Sequence, residues 1–442
     1  MEYIKLIERT DTQARFGFLK TNGGDFNLPA CSPIPRTLTE ARAVMDNVAK
    51  GLILDVVSPP LSRRREIKAG LGGLLGLSDT FYEVNFKRPL VIPDIESEAF
   101  NFGCKARSKF FTWNKGKKIF ETETALQELA NSTLSGDEGV HPTWKRMVKV
   151  HGYLPILNWY ARALTAISSD VFSVPTPIVR KSLDTVKLAI DSARAMIPNA
   201  KLHQKFSMWG VHFLLHGEIF KDDSESEEAR NKLIEEVRTW KMSDAMFNLF
   251  LSFKVHDPSD VLTDGLSGNS ARRNFSDFSL ELHEATESSG GTLVAHNFGN
   301  WSLGLLDSGA DIVSFRMDGK RDIESAFSGG RNKGSNYARE VPRYTVPRAL
   351  VDYHYKPLKT EFERTGGFPC SKYVVPKPYW NFPRWKDQLQ YTSAERFGVF
   401  HELGEEYRNA GLDEHISIPD SVRSRVLDSQ IIQELKDLCP SF

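Results

Sequence analysis

Between about residue 150 and residue 320, short apolar runs alternate with stretches of helical periodicity, and that alternation restricts the chain to a parallel sheet wrapped by helices. The run Asp170-Val171-Phe172-Ser173-Val174-Pro175 predicts a buried strand ending at a proline. After it, Leu183, Val186, Ile190, Ala193 and Ile197 recur at steps of three and four, which predicts a helix opening at Ser182 and stopping before Pro198. The pattern repeats with a strand from Phe206 to Leu215, a helix from Ser226 to Trp240 carrying Ala229, Leu233, Val237 and Trp240 on one face, and a strand from Met246 to Val255. A polar loop with Gly265, Gly268, Arg272 and Arg273 leads to a short helix near Ser276 to Thr286 and the strand Thr292 to His296. A helix near Trp301 to Asp307 and the strand Asp311 to Arg316 close the series. Four strand-helix units in a row predict half of a barrel or a doubly wound sheet.

The N-terminal third is less regular. Ala14 to Lys20 and Asp25 to Pro29 flank Asn22-Gly23-Gly24, which predicts a hairpin whose turn takes its positive φ angles from Asn-Gly. A helix from Thr39 to Ala49 precedes a strand from Gly51 to Val57, and another strand is predicted from Pro89 to Pro93. These bring the strand count close to eight, so the expected architecture is α/β: a (β/α)8 TIM barrel over residues 1–330 with an N-terminal β-hairpin region. Residues 331–442 are expected to form a C-terminal appendage, rich in Pro, Arg and aromatics and helical near Ser393 to Asn409 and Asp420 to Leu438. A chain of 442 residues has room for both.

With 40% apolar and 26% charged residues, the composition is that of an ordinary globular protein. No segment has the eighteen or so uninterrupted apolar residues of a membrane span, and Met1-Glu2-Tyr3-Ile4-Lys5 lacks a secretory layout, so a cytoplasmic protein with no membrane partner is expected. Cys31, Cys104, Cys370 and Cys439 lie far apart, giving neither a zinc-binding cluster nor a disulfide framework. No dinucleotide or P-loop glycine pattern is present, and no cofactor or metal is expected. Formal net charge is zero, which excludes indiscriminate coating of nucleic acid and leaves local clusters to do any binding. One runs from Asn101 to Phe120, where Lys105, Arg107, Lys109, Lys115, Lys117 and Lys118 interleave with Phe102, Phe110, Phe111, Trp113 and Phe120 without an acid. Cations there would neutralise phosphates while the rings stack on bases; a solvated hairpin with buried aromatics reads equally well. The second cluster, Lys320, Arg321, Arg331 and Lys333 among Gly319, Gly329, Gly330 and Gly334, follows the last predicted strand, where barrels often bind phosphate.

In order, Ala14-Arg15-Phe16-Gly17-Phe18-Leu19-Lys20-Thr21, Gly24, Leu28-Pro29-Ala30, the strand 51–57, Gly70-Leu71-Gly72-Gly73-Leu74-Leu75-Gly76 and Val91-Ile92-Pro93-Asp94 make up the first part of the chain. This succession resembles the tRNA-guanine transglycosylase superfamily (queuine or archaeosine tRNA-ribosyltransferases), whose members exchange a guanine for a 7-deazaguanine base without cutting the polymer. The likeness covers roughly residues 1 to 320 and makes the chain a divergent member. It implies a catalytic acid at Asp94, where Asp94-Ile95-Glu96-Ser97-Glu98-Ala99-Phe100 stands for a DSGGF-type motif. It places Thr176 at a base-binding aspartate and sets Leu215-His216-Gly217-Glu218 in place of a VQGG-like element, with His216 and Gly217 at the base. The family's carboxylate nucleophile corresponds to Ser314, and its cysteine-rich zinc insertion is absent.

Base exchange needs one group to attack or stabilise the sugar carbon and another to move a proton on the departing base. Asp94 and Asp318 are the expected pair, with Glu96 or Glu218 in reserve, although each also reads as a solvated loop acid. Ser314 needs an activating base to act as a nucleophile, and Asp311, an odd offset away, should face elsewhere. His216 and His296 lie at strand ends, where barrels place functional groups, and Asn297-Phe298-Gly299-Asn300 offers amides at a helix start; His212 is expected to pack. The function these readings favour is a base-exchanging pentosyltransferase acting on tRNA or DNA with a 7-deazaguanine-type base. The alternatives are a non-catalytic nucleic-acid-binding subunit of a homo- or heterodimer with an active transglycosylase, and an unrelated barrel enzyme acting on a phosphorylated small molecule.

Overall fold

The computed structural model describes residues 2–7, 12–76, 87–96, 144–145, 148–149, 152–256, 268–299, 302–318, 341–347 and 351–412. Their elements are, in chain order, β1 (Glu2–Ile7), β2 (Phe16–Thr21), β3 (Gly24–Leu28), β4 (Ala30–Ile34), α1 (Leu38–Ala49), β5 (Val56–Val57), α2 (Arg64–Leu71), β6 (Leu90–Val91), α3 (Leu154–Thr165), β7 (Val171–Pro175) and α4 (Leu183–Ala200). There follow β8 (Met208–His216), α5 (Ser224–Thr239), β9 (Phe250–His256), α6 (Gly268–Ser288), β10 (Thr292–His296), α7 (Ser302–Asp307), β11 (Ile312–Arg316), β12 (Tyr344–Val346), β13 (Val351–Tyr353), α8 (Tyr355–Thr365) and α9 (Trp385–Leu412). The chain is mixed α/β, and its described residues divide into two compact units, one drawn from those of Met1–Ile92, Ala295–Lys320 and Gly334–Phe442, the other from those of Pro93–Val294. The expected helix from Asp420 to Leu438, and both basic clusters, including Lys105, Arg107, Lys109, Trp113, Lys117, Lys118, Lys320 and Arg321, lie outside the described residues.

In the first unit an antiparallel sheet has the order β1-β2-β3. Thr21 pairs with Gly24 across the anticipated turn, but Gly24 (φ 128°) carries the positive φ rather than Asn22. A parallel sheet in this unit runs β4-β11-β10, with Ser314 beside Ser32. The expected strand over 51–57 shrinks to β5: Gly51 takes φ 97°, and the Gly51 and Leu52 amides bond back to Val48 and Asn47 of α1. β5 pairs in parallel with β6, and the Ser58 amide donates to the Pro33 carbonyl at 3.0 Å, tying the end of β5 to β4. α1 starts in a capping box: Thr37 Oγ1 accepts from the Glu40 amide at 3.1 Å and the Glu40 carboxylate from the Thr37 amide at 3.2 Å. The long helix α9 packs on α1, β2 and β4.

In the second unit the parallel order is β10-β9-β8-β7, β10 being cut between Val294 and Ala295. Ala229, Leu233 and Val237 form the buried face of α5 that their spacing predicts, and Trp240, buried too, opens the 3-10 turn that follows. α4 continues through Pro198 to Ala200, since a proline in the last turn forfeits only one backbone bond. β9 begins at Phe250, because the Met246 and Phe247 amides bond back to Ser243 and Asn248 adopts φ 60°. α6 is longer than expected, so Arg272 and Arg273 are helical and not in a loop, Arg273 pairing with Asp277 one turn on at 3.8 Å. No described helix is long and apolar enough to cross a membrane.

Candidate functional site

Parallel strands buried on both sides are normally apolar throughout. β9, Phe250-Leu251-Ser252-Phe253-Lys254-Val255-His256, departs from this at every second residue. Alternation puts Ser252, Lys254 and His256 on one face, and their register partners on β8 are His212, Leu214 and His216. In the second unit this face holds three polar layers. At the lowest, His212 Nδ1 and Ser252 Oγ are 2.9 Å apart, both buried, and Thr176 Oγ1 donates to the His212 carbonyl at 3.1 Å. His212 is thus packed, as expected. One layer higher, Lys254 Nζ lies 3.7 Å from Asp94 Oδ1, with 3% and 1% of the two side chains exposed. The Glu96 amide donates to the same Asp94 oxygen at 3.2 Å, and Glu96 is itself buried with φ 49°. The top layer is the carboxyl ends of the two strands, where the His216 and His256 rings stand 5.9 Å apart. His216 Nδ1 is 3.5 Å from a Glu218 oxygen, and Arg180 is 3.7 Å from the same carboxylate. These four side chains are half-buried, whereas Gly217 is buried at the start of a short 3-10 turn.

In the first unit Ser314, at the position of the expected nucleophile, is fully buried and its Oγ lies 2.8 Å from His296 Nδ1. The Ser314 carbonyl accepts from the Asn297 amide at 2.9 Å and from Ser302 Oγ at 3.1 Å. Ser32, the register neighbour of Ser314, reaches Ser58 Oγ at 2.8 Å. Ser314 thus stands within hydrogen-bond reach of an imidazole, in a row of buried hydroxyls. Asp311 is gripped by Arg15, whose Nε donates to Oδ1 at 2.7 Å.

Asp318 also lies in the first unit, held at both oxygens by Arg316 at 2.9 and 2.5 Å. Its negative charge, added to the larger effect of burial, raises the Glu40 carboxyl to about 7, against the pull of the Arg36 amide, Arg316 and Arg36. Glu40 was not anticipated as a member of this group. Arg396 of α9 donates to the Arg316 carbonyl at 2.8 Å and to Asp352 at 2.7 Å, fixing the end of β11 from behind. The expected acids therefore fall in different units, Asp94 in the second and Asp318 in the first.

No protein-family model and no curated protein matches this chain. The side chains themselves then carry the functional reading. Among the described residues no group of three or more His, Cys, Asp or Glu is arranged to hold a metal ion. Sequence reasoning missed Lys254, Ser252 and His256, although the every-second-residue polarity of β9 was there to mark them. Nothing local marked Asp94 and Lys254 as partners, since 160 positions separate them in the chain.

Proposed function

We propose that the chain is a nucleic-acid base transglycosylase, exchanging guanine for a 7-deazaguanine-type base in tRNA or DNA on a (β/α)8 barrel. The observation that carries the reading is the buried Asp94 carboxylate paired with Lys254, below the half-buried rim of His216, His256, Glu218 and Arg180 at strand carboxyl ends. A carboxylate with an adjacent ammonium can take up and return the single proton that must move on the departing base. The rim adds ring and guanidinium donors suited to an unstacked base or its phosphate. The barrel is supported by the eight strands β4 to β11, which follow one another among the described residues, with β5 bonded to β6 and tied to β4 through Ser58.

A second reading, a non-catalytic nucleic-acid-binding subunit, is favoured by the hydroxyl of Ser314 where the resembled family has a carboxylate, and by the two-point grip of Arg316 on Asp318. Incubation of the purified protein with radiolabelled guanine and tRNA or duplex DNA separates the two. Incorporation into the polymer is the expected result. Salt-sensitive binding without incorporation selects the subunit, and loss of both removes nucleic acid from the picture.

A further inference from the structure

We propose that Lys254 is the covalent nucleophile of the exchange, an inference that rests on the transglycosylase reading. The other candidates for the attack are poorly suited to it. Ser314 is a hydroxyl whose sugar adduct would be a poorly leaving ether-type glycoside, and both oxygens of Asp318 are held by Arg316. Lys254 is an amine already beside the acid-base group, 3.7 Å from Asp94 Oδ1. It shares a strand face with the half-buried His256, two residues on, so its backbone lies only about 7 Å below the rim. Its flexible four-carbon stem can span that layer. An amine is also the side chain that converts an anomeric carbon into a reactive, reversible imine.

The proton of the Lys254 ammonium passes to Asp94, and the freed amine attacks C1′ of the nucleotide. The Nζ–C1′ bond forms as the C1′–base bond breaks; its electron pair goes to the base nitrogen, which takes the proton from Asp94. Transfer of an amine proton to the ring oxygen opens the sugar and leaves an iminium between Lys254 and C1′. The incoming base attacks this carbon, Asp94 accepts its N–H proton, the sugar closes and Lys254 departs with its proton restored. No oxidant or reductant is consumed.

The test treats the full chain with end-labelled tRNA or duplex DNA and sodium borohydride, without free base, and measures guanine exchange in parallel without borohydride. The expected result is a borohydride-dependent protein–nucleic acid band on a denaturing gel, with the adduct mapped to Lys254 by peptide mass spectrometry. Lys254→Arg should lose both the band and the exchange. Exchange without a trapped band, an adduct on another lysine, or undiminished exchange in Lys254→Arg overturns the proposal and leaves the transglycosylase intact. Absence of exchange and of trapping on every polymer removes both. Mapping uses the unaltered protein, so its outcome decides the matter even if the variant does not fold.

Discussion

At the scale of single residues, the chain stores several ionisable groups where water cannot reach them, and their costs have definite signs. Burial raises the Glu395 carboxyl to about 8, against hydrogen bonds from Ser371 and Tyr344, and raises Glu40 to about 7. Above the ordinary value of 4.5, the unfolded chain has lost protons that the native state still holds, so stability falls with rising pH up to those values and levels off beyond them. Urea midpoints should therefore drop between pH 5 and pH 8.5, and Glu395→Gln should shrink the drop; a variant that kept the full pH dependence would remove Glu395 as its source. The Asp94–Lys254 pair makes a different prediction. Removing either partner alone strands a buried charge and should cost roughly 3–5 kcal/mol, whereas Asp94→Leu with Lys254→Met should recover most of it. Asp94→Asn should lower exchange by about 10² to 10⁴, the usual size of an acid-base contribution, and unimpaired exchange in that variant would take Asp94 out of the chemistry. Of these residues Asp94 was legible in the sequence through its place after an apolar run. Lys254 was marked only by the alternating polarity of β9, and its pairing with Asp94 had no signal in the sequence.

At the scale of elements, α9 is fitted to the first unit through glycines that helix propensity alone would count as weaknesses. A methyl group at Gly411 would stand 1.9 Å from Phe16 Cε1 on β2, and one at Gly404 would stand 2.7 Å from Cys31 Sγ on β4. Gly411→Ala should thus destabilise by about 1–3 kcal/mol through overpacking, and a smaller residue at position 16 should remove that penalty. Additive costs in the double variant, measured by urea unfolding, would show that the contact does not govern the fit. The amphipathic helices α4 and α5 were readable from spacing, since one buried stripe repeating every three to four residues leaves little alternative. The ends of β5 and β9 were not. Gly51 and Asn248 take positive φ within the stretches expected to be strand, and neither angle follows from the apolar pattern around it.

At the scale of the whole molecule, a chain with formal net charge zero has no general attraction for a polyanion, so the polymer binding proposed for it would come from local cations. Replacing Lys115, Lys117 and Lys118 by Gln should weaken binding to duplex DNA and flatten the slope of log affinity against log salt by about 0.9 for each phosphate no longer neutralised. An unchanged slope would place the binding cations elsewhere. The parallel strands were visible from residue 170 onward, yet the division into two units through the middle of β10 was not, because Thr292-Leu293-Val294-Ala295-His296 shows no break in its pattern where the units part. Among the described residues each unit also contains a buried histidine–serine pair, His212 with Ser252 and His296 with Ser314. The proton shared in each pair is shielded from solvent and exchanges only when its surroundings open locally. Slow exchange of these two protons, read by magnetic resonance, would therefore report local opening around one buried site in each unit.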